Sequence, residues 1–133
     1  MLRPLVISFR EGIAYRAKGN LLWLLHRISG LGIVVFLGFH IFGMSMAAFN
    51  PALHERALEL YKTPPFAVGE LILAFLLIFH AVNGTRIAIL ELRPQLWEKH
   101  EVATRLSLII TAALALPTLG IMAYKSISHF LGH

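Results

Sequence analysis

Apolar positions in this chain come in long runs, and polar positions fall mainly between them. The runs extend from about Leu21 to Phe49, from about Phe66 to Leu92 and from about Leu106 to Phe130. Each can supply the roughly 20 residues that a helix needs to cross a hydrocarbon layer about 30 Å thick. Helix is required there, because an isolated strand would leave its backbone polar groups unsatisfied in lipid. The pattern therefore predicts an all-α integral membrane protein with transmembrane helices at about 21–49, 66–92 and 106–130, in a single domain of residues 1–133. The first run is no cleavable signal peptide. It begins too far into the chain, is too long, and lacks a small-residue cleavage site after a short apolar core.

Breakers mark the joints. Asn50-Pro51 and Thr63-Pro64-Pro65 bound the first connection, with a short polar helical stretch from His54 to Lys62 between them. Arg93-Pro94 closes the second run in the same way. Pro117 lies inside the third run, where its missing N–H removes one helical hydrogen bond and should kink the helix, a defect that neighbouring helices can absorb.

Composition agrees with lipid as the solvent: 57% of residues are hydrophobic and 14% charged, against about 45–50% and about 25% in ordinary soluble domains. Cysteine is absent, which excludes disulfides, thiolate chemistry and iron–sulfur ligation by this chain. A bound metal or haem would have to use the seven histidines or the four methionines. The net charge of +5 does not point to nucleic acid, because the basic residues flank the apolar runs, where membrane proteins keep their topology signals. The arm of residues 1–20, the first turn of the first run and the second connection with its helix ends hold nine Lys and Arg. The opposite side holds three, Arg56, Lys62 and Lys125. This bias predicts a cytoplasmic N-terminal arm and an external C-terminus in an inner or cytoplasmic membrane.

A titratable side chain within a membrane span costs several kcal/mol, so each asks for a partner or a task. Five stand out: His26, Arg27, His40, Glu70 and His80. His80 shares its helical face with Gly84, four residues on, and Glu91, eleven on, each within about 40°. An imidazole beside a position without a side chain is what an axial haem ligand with a flat macrocycle against the backbone requires. The competing reading is a histidine hydrogen-bonded between helices. Arg27 either snorkels to the headgroups or offers its guanidinium fork to a haem propionate or a quinone carbonyl. Trp23, one turn earlier on the same face, lines an aromatic slot or belongs to the interfacial belt. His40 lies fourteen residues beyond His26, about 21 Å along the helix, and is either a ligand to a second haem or a hydrogen-bonding core residue. Glu70, near the outer end of the second span, reads most simply as a snorkelling carboxylate. His54, His100, His129 and His133 fall in connections or at the terminus and are expected to be solvated.

The order of two motifs carries more than either alone. His26-Arg27-Ile28-Ser29-Gly30 opens the first span, and His80-Ala81-Val82-Asn83-Gly84-Thr85-Arg86 lies in the second. Over about residues 10–95 the chain resembles the cytochrome b membrane anchor of succinate dehydrogenase, whose signatures are H-R-x-[ST]-G and H-x-x-N-G-x-R. The resemblance implies an anchor that works with a flavoprotein subunit, an iron–sulfur subunit and a second membrane anchor, which would complete the helical bundle. It implies haem b with His80 as axial ligand, His26 at the propionates, and a quinone pocket formed by Arg27 with Trp23 and Ser29. Electrons from succinate would pass through the iron–sulfur subunit to quinone. Three positions depart from the pattern: Trp23 stands where some members have serine, Ile87 where a histidine often follows the arginine, and Glu91 where aspartate is commoner. His40 lies outside the single-haem pattern, and two-haem relatives carry a first-helix histidine in the outer half. Two rival readings stand beside this one. One is a cytochrome b anchor for a different dehydrogenase, and the other a haem-free packing or transport subunit in which Glu70 and the histidines line a proton or cation path.

Overall fold

The computed structural model describes the backbone of residues 3–132 and the side chains of residues 21–132. The arginines and lysine of the N-terminal arm, as side chains, and His133 lie outside the described residues. Among the described residues every regular element is helical. Helix α1 spans Arg3–Phe49, α2 Pro51–Tyr61, α3 Pro64–Leu92 and α4 His100–Leu131, and a 3-10 turn at Pro94–Lys99 joins the last two. Three segments are long and apolar enough to cross a membrane: Leu21–Phe49, Pro64–Leu92 and Pro94–Leu131.

The helices exceed the apolar runs at their N-terminal ends. Helix α1 continues back through the arm to Arg3, and α4 begins at His100, before the apolar run near Leu106. The prolines that break the chain also start the next helix. Pro51 stands in the first turn of α2, where Asn50 caps the end by accepting a hydrogen bond from the Leu53 N–H at 3.2 Å. Pro64 and Pro65 stand in the first turn of α3 behind Thr63. Proline is tolerated there because a first-turn N–H has no intrahelical partner to lose. Pro117 lies within a continuous α4.

Helix α3 is the centre of the fold. It packs against α1 on one side and α4 on the other, while among the described residues α1 and α4 make no comparable contact with each other, and α2 rests on α1 and α3. The arrangement is open rather than a closed three-helix bundle. Among the described residues only Phe79, Leu90 and Ala115 are buried apolar ones, whereas Ser29, Asn83, Ser107 and Thr111 are buried polar ones. A water-soluble protein does the reverse. With large side chains such as Leu31, Phe39 and Leu116 facing outward, the chain presents its apolar surface to lipid or to neighbouring helices and keeps small polar residues at its own seams, as membrane helices do.

The α3–α4 seam shows how. Ser107, Thr111 and Ala115 form one buried stripe of small residues on α4. The two hydroxyls donate back within α4, Ser107 to the Thr104 carbonyl and Thr111 to the Ser107 carbonyl, each at 2.8 Å. Small size lets the backbones approach, and the internal hydrogen bonds leave neither hydroxyl unsatisfied in the contact.

Two expectations are corrected here. His100 is half-buried, with its Nδ1 3.0 Å from the Trp97 carbonyl oxygen. His54 is half-buried rather than solvated: its Nδ1 lies 3.0 Å from the Gly43 carbonyl oxygen, tying α2 back onto the end of α1. Gly43 also faces the Tyr61 hydroxyl, 3.6 Å from where a Cβ would stand. The amphipathic α2 thus folds against the C-terminal end of α1 through a side chain that sequence position alone assigns to water.

Candidate functional site

The α1–α3 seam is built around two histidines. His26 of α1 and His80 of α3 stack face to face, with ring centroids 4.1 Å apart and planes 3° from parallel. Each ring lies over a glycine of the opposite helix. A Cβ added to Gly30 would stand 2.9 Å from His80 Cε1, and one added to Gly84 would stand 3.3 Å from His26 Cε1. In both helices the glycine follows its histidine by four residues, so histidine and glycine share a face. The two elements therefore exchange histidines reciprocally, each imidazole filling the space the other helix leaves free of a side chain. This corrects the expectation that the position beside Gly84 is open to a macrocycle, because His26 occupies it.

The hydrogen bonds fix the state of His80. Its Nδ1 lies 3.1 Å from the His26 carbonyl oxygen and 3.1 Å from Ser29 Oγ, and Ser29 Oγ lies 2.8 Å from the same carbonyl oxygen. A carbonyl oxygen can only accept, so an unprotonated Nδ1 at that distance would set lone pair against lone pair. With the proton on Nδ1, the N–H donates to the carbonyl and to Ser29 Oγ, and the serine hydroxyl donates to the carbonyl. All three contacts are then favourable. The other ring nitrogen of His80, Nε2, keeps its lone pair and takes no part in this triangle.

Around this pair lie buried nitrogens without hydrogen-bond partners among the described residues: His26 Nδ1, Asn83 Nδ2 and Arg86 Nε. Arg86 reaches across to α4, where its Nη1 donates to Thr104 Oγ1, which itself donates to the His100 carbonyl. Buried polar groups are nearly always satisfied in folded proteins, so this end of the bundle is chemically suited to a polar ligand from outside the chain.

Other predicted site residues stand apart. Arg27 and Trp23 are exposed, and the Arg27 guanidinium carbon lies 4.2 Å from the Trp23 ring centroid, a cation–π contact. Ser29, two residues on from Arg27, is fully buried in the seam, as an advance of about 200° around the helix requires. The Arg27–Trp23 pair and Ser29 therefore lie on opposite faces of α1. His40 is exposed in the C-terminal half of the α1 span and stacks on Phe36 at 5.5 Å, remote from the His26–His80 pair. Glu70 is exposed in the first part of α3.

Over residues 8–121 the sequence matches the family described as "Succinate dehydrogenase/Fumarate reductase transmembrane subunit". The chain belongs to this family. It is also 36% identical over 69 residues to the "Succinate dehydrogenase 2 membrane subunit SdhC" of Mycobacterium tuberculosis (strain ATCC 25618 / H37Rv), a match covering 52% of this chain and 51% of that relative. The match thus spans about half the length of the curated relative. The family region takes in both histidine motifs and most of the three spans, which makes the chain a multi-pass membrane subunit of the succinate dehydrogenase/fumarate reductase family.

The structure brings together His26, Ser29, Gly30, His80 and Gly84 and leaves Arg27, Trp23 and His40 on outer surfaces. Haem can be tested against the seam directly. Among the described residues no group of three His, Cys, Asp or Glu side chains gathers around one point, but a haem iron takes four donors from its macrocycle and asks the protein for one or two. An imidazole with Nδ1–H held by a carbonyl and Nε2 left to coordinate is the usual form of a ligating histidine, and unpartnered nitrogens nearby suit propionates. The donor atoms fit the group, while the space beside Gly84 is filled by His26. Sequence reasoning gave no role to Gly30 or Thr104. The first was legible as the second copy of a histidine-x-x-x-glycine spacing, whereas Thr104 carries no sequence signal for its contact with Arg86.

Proposed function

We propose that this chain is the haem-binding, quinone-site membrane anchor of a succinate dehydrogenase or fumarate reductase complex. A single observation carries the reading: the His80 imidazole has its Nδ1 hydrogen-bonded to the His26 carbonyl and Ser29, which leaves Nε2 to donate to iron. The partners on this reading are a flavoprotein subunit, an iron–sulfur subunit and a second membrane anchor, which would cover the open side between α1 and α4. The membrane orientation follows from the Lys and Arg bias, with the N-terminal arm on the cytoplasmic side.

The chain performs no succinate chemistry itself. Haem b, when bound, supplies a one-electron store beside the quinone pocket. His80 would hold the iron, and the unpartnered nitrogens of His26, Asn83 and Arg86 could satisfy the haem carboxylates. Arg27, at the cytoplasmic end of the span, presents a guanidinium oriented by the Trp23 face. Placed at a quinone oxygen, it stabilises negative charge as electrons arrive from the iron–sulfur subunit, by the electrostatic logic of an oxyanion hole. His40 is the candidate ligand for a second haem in the outer half of the membrane.

The test is a reduced-minus-oxidised spectrum of the complex purified through this chain, beside the same preparation with His80→Ala. A b-type spectrum that the substitution abolishes or strongly weakens is the expected result. An unmutated complex with no haem signal, or a spectrum unchanged by the substitution, would remove His80 ligation.

A further inference from the structure

We propose that Ser29 is a positioning residue for His80, its hydroxyl acting with the His26 carbonyl to hold the imidazole as Nδ1–H and to leave Nε2 free of the hydrogen-bonded triangle. The inference rests on the proposed ligand role of His80 for its consequence, but the tautomer lock is a property of this chain alone.

The geometry is a closed triangle of Ser29 Oγ, the His26 carbonyl oxygen and His80 Nδ1, with sides of 2.8, 3.1 and 3.1 Å. Only two protons are available to fill three contacts, and one arrangement uses both well. The serine proton points at the carbonyl and the imidazole proton is shared between carbonyl and serine. If the imidazole proton moved to Nε2, the serine could turn its own proton to Nδ1 or keep it on the carbonyl, but two of the three contacts would remain repulsive either way. The hydroxyl thus biases the tautomer beyond what the carbonyl does alone.

Rotation of the ring is restrained at the same time. The His80 face is covered by His26 at 4.1 Å and its edge lies against Gly30, while Ser29 is fully buried and cannot be replaced at the triangle by bulk water. Second acceptors on a ligating histidine raise its basicity and fix its orientation. A more basic imidazole favours ferric over ferrous iron, so loss of the hydroxyl should raise the haem midpoint potential.

Two readouts on the same samples test this: 15N solid-state NMR of histidine-labelled complex in its membrane, with His80 assigned by difference against His80→Ala, and redox titration of the haem. The unmutated complex should show His80 as Nδ1–H. Ser29→Ala, which keeps the packing and removes only the oxygen, should shift the His80 Nδ1–H resonance toward that of a weaker hydrogen bond, the iron holding Nε2 in both samples. It should also weaken the ferric preference up to about tenfold, a positive shift of up to about 59 mV for one electron. Ser29→Thr, which retains the hydroxyl, should restore both. An Nε2–H tautomer in the unmutated complex, or Ser29→Ala identical to it in Nδ1–H resonance and potential, would overturn the proposal. If the unmutated complex held no haem, the ligand reading would fall, and the NMR comparison would still decide the role of Ser29.

Discussion

Gly30→Ala probes the reciprocal packing most sharply. An added Cβ would stand 2.9 Å from His80 Cε1 and 3.4 Å from His80 Nδ1, so the ring must retreat by about 0.5 Å to reach ordinary contact. It has little freedom to do so, because His26 covers its face at 4.1 Å. Displacement also stretches the 3.1 Å bonds from Nδ1 to the His26 carbonyl and Ser29 toward the about 3.5 Å beyond which they cease to hold. Overpacking of this kind costs about 1–3 kcal/mol, and the better helix propensity of alanine returns up to about 1 kcal/mol. With the full propensity gain the net loss is up to about 2 kcal/mol, equivalent to as much as about thirtyfold in retention of a ligand that depends on the His80 position. The assay is haem per complex by difference spectrum, followed through serial dilution in detergent. Gly84→Ala, where the contact with His26 Cε1 would be 3.3 Å, should lose clearly less, and Gly69→Ala, with nothing within 4 Å in this chain, serves as control. Haem retention by Gly30→Ala equal to that of Gly84→Ala would refute the reasoning.

Three further outcomes are expected. Arg27→Leu should lower quinone reduction by at least about tenfold while succinate oxidation with an artificial acceptor stays intact, and equal loss of both activities would count against a quinone role for this residue. Thr104→Val keeps the side-chain shape but removes the acceptor of Arg86 Nη1; thermal unfolding of the complex should report a loss of about 1.5–3 kcal/mol, as for a hydrogen bond to a charged group. His54→Phe should release α2 from the Gly43 carbonyl at a cost of about 0.5–1.5 kcal/mol, seen as faster amide exchange across Pro51–Tyr61, and unchanged exchange would show that the bond does not hold the helix down.

Much of the chain is readable without coordinates because lipid is an exacting solvent. Backbone groups must be satisfied within each span, so the three apolar runs could only be helices, and the breakers Asn50-Pro51, Thr63-Pro64-Pro65 and Arg93-Pro94 could only lie between them. Where α1 and α4 run past their apolar stretches, helix continues into polar residues that water can also accommodate, and hydropathy gives no signal for that boundary. The face shared by His80 and Gly84 was likewise legible, since it needs only the helical angle.

What fills that face was decided by the tertiary structure. Two histidine-x-x-x-glycine spacings are visible along the sequence, but nothing local says that they lie opposite each other, with each imidazole over the other helix's glycine. That depends on how deeply α1 and α3 interlock, which small side chains permit and the stacked rings then fix. The same packing turns Ser29 inward to His80 while leaving Arg27 and Trp23 facing out, and it draws His54 onto Gly43. The sequence by itself determined the spans, their order and the residues with chemistry to offer, because those follow from solvent and from one helix at a time. Which of those residues meet was settled only when two helices shared a seam, because contact between residues far apart in the chain is a property of packing.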